Sequence, residues 1–61
     1  MMENLIGVRV LDGEGKPNGV IIDQMDGVCL VRRTGDSYNP MGEDNHYLQK
    51  PQYLILDDSW E

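Results

Sequence analysis

Sixty-one residues hold eleven Asp and Glu against five Lys and Arg, for a formal net charge of −6. A chain of this length forms one domain, residues 1–61, and buries only about 60% of the surface its unfolded form exposes. Too few cations remain to build a basic face for DNA, RNA or anionic membranes, so no direct nucleic-acid binding and no membrane association are expected.

The start, Met1-Met2-Glu3-Asn4, has no basic segment followed by an apolar one, and no apolar run approaches the roughly 20 residues of a spanning helix. A soluble, cytoplasmic domain is therefore expected. Residues 6–11 alternate Ile6, Val8 and Val10 with other types and predict a first strand. Residues 12–19 contain three glycines, Pro17 and Asn18, and predict a turn or loop.

Residues 19–24 and 28–33 read as two β-rich runs around Met25-Asp26-Gly27. A two-residue Asp26-Gly27 turn would pair Met25 with Val28 and set Ile21 opposite Arg32. A three-residue loop with Gly27 left-handed pairs Ile21 with Val31 and Ile22 with Leu30. The second arrangement is preferred, because it sorts Val20, Ile22, Val28 and Leu30 onto one face and Ile21, Cys29 and Val31 onto the other. Cys29 is the only cysteine, so no disulfide forms within the chain. It reads as an ordinary buried thiol in a reducing compartment. Arg32 and Arg33 are the only adjacent cations, and strand neighbours point to opposite faces.

Residues 34–46 are almost free of apolar side chains and rich in Gly, Pro, Asn and Asp, which predicts a long polar loop. Loops beyond about 12 residues are uncommon in compact domains and are often functional or disordered. Tyr47-Leu48-Gln49 predicts a short strand or a helical turn, Tyr53–Leu56 a final strand with Tyr53 in the core, and residues 57–61 an acidic tail ending in Trp60-Glu61. Three clear strands and one or two short ones make the fold mainly β, a strongly curled antiparallel meander of four to five strands or a small barrel. Both faces of the central hairpin are apolar, so the sheet must close on itself or pack against a copy of itself.

The succession of strand, glycine-rich loop, Gly19-Val20-Ile21-Ile22, a turn at Gly27 and Val28-Cys29-Leu30-Val31 resembles the strand pattern of SH3-like small barrels, including KOW-type and Tudor-type modules. The resemblance covers about residues 6–56 and rests on strand pattern. It implies a partner-binding barrel, without the aromatic cage or the basic face that some of these modules use.

Candidate chemistry is sparse. Asp12-x-Glu14-x-Lys16 departs from a calcium loop, because Lys16 stands where an oxygen ligand is required and Pro17 where a glycine is. Glu43-Asp44-Asn45-His46 gathers donors, but one histidine and one distant cysteine make no zinc signature. His46 has no recognisable nucleophile to serve as a base for, and Gly13 and Gly15 precede no helix that could hold a phosphate. No catalytic residue, metal or cofactor is assigned, and a stand-alone enzyme is not expected.

What remains is a surface for partners. Tyr and Trp are enriched at binding hot spots, and Tyr38, Met41, Tyr47 and Trp60, with the acidic Asp36, Glu43 and Asp44, form the candidate partner-binding set. The expected function is a small acidic interaction module that binds a protein partner, or itself as a homo-oligomer, through the 34–46 loop and the hairpin edge. The alternative is an inhibitor that mimics nucleic acid and occupies the basic groove of a DNA- or RNA-handling protein, as small acidic proteins of phages and mobile elements do.

Overall fold

The computed structural model describes residues 4–42 and 44–57. The chain folds into one five-stranded antiparallel sheet: β1 (Arg9–Leu11), β2 (Pro17–Met25), β3 (Val28–Arg33), β4 (His46–Gln49) and β5 (Ile55–Leu56), in the order β4-β3-β2-β1-β5. Single turns of 3-10 helix at Gly35–Ser37 and Pro51–Tyr53 precede β4 and β5, and no α-helix forms among the described residues. The first four strands are a meander, and β5 returns to pair with β1. β4 and β5 are the two edges, with no ladder joining them among the described residues. The mainly β antiparallel fold of four to five strands expected from the sequence is present with five strands, and the pairings among the described residues do not close it into a barrel. None of the described helical turns is long and apolar enough to cross a membrane.

The central hairpin corrects the expected register in one place. Met25 pairs with Val28, so the turn has two residues, and both are left-handed, Asp26 at φ 54° and Gly27 at φ 76°. That geometry matches the right-handed twist of the strands and suits an Asp-Gly pair. Yet Ile21 still faces Val31, because the extra residue sits inside β2, where the register shifts between Ile21 and Asp23. The bulge at Ile22 lets both pairings hold and bends the strand. Ile22 therefore does not face Leu30; Asp23 does.

The core lies on one face. Leu5, Val8, Val10, Ile21, Cys29 and Val31 are buried, with Tyr47, Leu54 and Leu56 packed against them. Ile21, Cys29 and Val31 have no exposed surface, as their common face predicts. The first strand is shorter than expected. Gly7 turns the chain at φ 95°, its N–H donates to the Ile21 carbonyl at 2.7 Å, and Leu5 rather than Ile6 enters the core. Leu5 is tied down by its N–H, which donates to Gln24 Oε1 at 2.9 Å. The last strand is shorter too. Tyr53 closes a 3-10 turn begun by Pro51 and is 69% exposed, so Leu54 and Leu56, not Tyr53, take the core positions.

Candidate functional site

The 34–46 loop is braced from both ends. Thr34 N–H donates to the Asn18 carbonyl at 3.0 Å, and Ser37 Oγ donates to the same oxygen, which docks the first 3-10 turn on the start of β2. At the far end, Asn45 is the buried polar residue among those described. Its Oδ1 accepts Asn39 N–H at 2.6 Å and its Nδ2 donates to the Asn39 carbonyl at 3.0 Å, closing the loop across six residues. Asn39 Oδ1 in turn accepts Met41 N–H at 3.0 Å, and Gly42 N–H donates to the Asn39 carbonyl, so Asn39 to Gly42 form a tight turn at the tip.

Arg33 clamps this loop to the sheet. Its backbone N–H donates to the Asn45 carbonyl at 2.6 Å, its Nε donates to the Asp44 carbonyl at 2.7 Å, and its guanidinium lies 4.7 Å from the centre of the Tyr47 ring. Such a cation–aromatic contact at a partly exposed position contributes about 0.5–1 kcal/mol. The bracing roles of Arg33, Asn39 and Asn45 are not among the sequence expectations. The only available signal was asparagine flanking a Pro-Met-Gly turn, where a short amide side chain can satisfy nearby backbone.

The candidate residues separate into two groups. Tyr38 (45% exposed) and Met41 (82%) stand on the loop with Asp36 and Asp44, both exposed, and Asp44 is left-handed at φ 57°. Tyr47 belongs to the sheet instead: it pairs with Val31, packs against the core and lies under Arg33. Glu43 and Trp60 lie outside the described residues, as do residues 58–61 of the acidic tail. Asp57 is described; it meets Arg9 Nε at 3.5 Å and donates its N–H to the Arg9 carbonyl.

A second exposed surface lies at the hairpin. Asp23, Met25, Asp26, Val28, Leu30 and Leu48 surround a concavity of about 350 Å3, and Met25 and Leu48 are 64% and 68% exposed. Alternation in β3 places Val28 and Leu30 on this face, whereas Leu48 is not legible as part of it, because Tyr47-Leu48-Gln49 fits a strand or a helical turn equally well.

Titratable groups offer little chemistry. Asp12 Oδ1 accepts the backbone N–H groups of Lys16 at 2.9 Å and Glu14 at 2.8 Å, and these bonds, that of Lys16 first, hold its carboxyl below the ordinary value of 3.8. The carboxylate thus serves as a turn cap. Burial pushes the Cys29 thiol up, away from the nucleophilic form. No group of three or more His, Cys, Asp or Glu placed to hold a metal occurs among the described residues. Compared with protein-family models, curated proteins and solved structures, the chain has no match.

Proposed function

We propose that the chain is a small, non-catalytic protein-interaction module of SH3-like plan, which engages a protein partner through the 34–46 loop. The observation that carries this reading is the braced loop: buried Asn45 and Arg33 hold its backbone while Tyr38 and Met41 stand exposed. Ordering a loop before contact lowers the entropy cost of binding, and an exposed aromatic beside a flexible thioether is a typical anchor. The SH3-like plan is supported by the four-strand meander, the return of β5 to β1, and the bulge that bends β2.

Capture from cell lysate tests it, with wild type and a Tyr38→Ala/Met41→Ala double variant as baits at low and high salt. The expected result is a salt-resistant partner whose affinity falls on the order of tenfold or more in the double variant. A basic, nucleic-acid-handling partner that leaves as salt rises and ignores both substitutions would replace the module with the mimic.

A further inference from the structure

The sheet face opposite the core carries an ordered pattern of charge. One cross-strand row is Asp23–Leu30–Leu48, with Met25 and Val28 paired beyond it toward the turn. The next row on the same face is Arg9–Val20–Arg32–His46. The hairpin end is thus apolar and tipped by exposed Asp26, while the other end is cationic in a chain of net charge −6. Arg9 is engaged by Asp57, whereas exposed Arg32 has no ion pair among the described residues.

The pattern is self-complementary. Counted from Cys29 along β3 and its turn, Val28 and Leu30 lie one residue to either side, and Asp26 and Arg32 three residues to either side. A second copy rotated about a two-fold axis that lies in the interface, above Cys29 and across the strands, runs antiparallel over the first. It sets each Leu30 against the other copy's Val28 and brings each turn, with Asp26, toward the end of the other copy's β3 that carries Arg32. A parallel copy would instead stack Asp26 on Asp26 and Arg32 on Arg32. Like copies of net charge −6 repel one another, so matched local charges decide whether the apolar face is covered. We propose that a second copy of this chain covers this face in an isologous dimer. The proposal goes beyond the loop reading: it uses the sheet face and neither Tyr38 nor Met41.

Sedimentation of the purified full chain over a concentration series tests it. Wild type should show a concentration-dependent dimer. Leu48→Asp, at a side chain outside the core, should weaken it about tenfold or more. Asp26→Asn, which keeps the left-handed turn, and Arg32→Gln should each weaken it about threefold to tenfold, and the double variant no further than either alone, because both remove the same contact. Tyr38→Ala should leave self-association unchanged while reducing loop-mediated capture, so the two readings fail separately. A monomer at every concentration, a dimer indifferent to Leu48→Asp, strictly additive charge effects, or a monomer that binds a different protein through Leu48 would each overturn the proposal.

Discussion

Gly19 is the position where a single methyl group matters most. It is buried between β1 and β3, and a Cβ there would lie 2.8 Å from Val31 Cγ1 and 3.2 Å from the Arg32 carbonyl oxygen. Those atoms belong to β3, paired on both sides, and have little room to retreat. Gly19→Ala should therefore destabilise the fold by about 1–3 kcal/mol, read as a lower urea midpoint with unchanged slope. Sequence alone marked Gly19 as the end of a turn, since nothing in one chain distinguishes a glycine needed for φ from one needed for close approach. Asp12 makes the opposite case, where local sequence is enough: an Asp followed by Gly-x-Gly is a turn signal. Its carboxyl is held below 3.8 in the folded chain by the Lys16 and Glu14 N–H groups. A depressed folded value contributes stability above the unfolded pKa, and that contribution is lost as pH falls through the folded one. The melting-temperature gap between wild type and Asp12→Ala should be open at neutral pH and narrow in acid below about 3.8.

Among the elements, the β2–β3 hairpin shows what alternation can and cannot decide. Facing apolar residues correctly placed Ile21, Cys29 and Val31 together, because burial on one face overrides local preference. The same pattern could not locate the extra residue, which fits the loop or the strand equally well as far as the Ile21–Val31 pair is concerned. The structure puts it at Ile22 and leaves Asp26 left-handed at φ 54°. Asp26→Val should then cost about 1–3 kcal/mol, because a β-branched side chain is strained there, while Asp26→Asn should change stability by under about 0.5 kcal/mol. Equilibrium unfolding of both variants checks the turn; a harmless valine would restore the three-residue loop. The short outer elements were less legible. β4 and the Pro51 turn are only a few residues long, too short for periodicity to separate strand from 3-10 helix, so the outward turn of Tyr53 and the place of Leu48 in the sheet are not legible in the sequence. In the loop, the polar composition of residues 34–46 was plain, but the bonds that order it run from Asn45 to Asn39 and from Arg33 to Asp44, and composition does not encode them.

At the level of the whole molecule, sequence foresaw that a sheet apolar on both faces needs either closure or a covering surface. Among the described residues the sheet is open with one covered face, and the other face runs from an apolar hairpin end to a cationic end. Residues Leu5, Leu54 and Leu56 complete the cover from segments distant in sequence, a closure that local patterning does not reach.

Cys29 gives this architecture a built-in clock. It is the sole thiol of the chain, fully shielded on an inner strand of the sheet. A thiol-reactive dye can reach it only during moments when β3 parts from its neighbours, so labelling kinetics in buffer count those openings without any denaturant. With one sulfur there is one signal to follow, and a labelling rate that slows as protein concentration rises would report, from inside the sheet, that copies are holding one another shut.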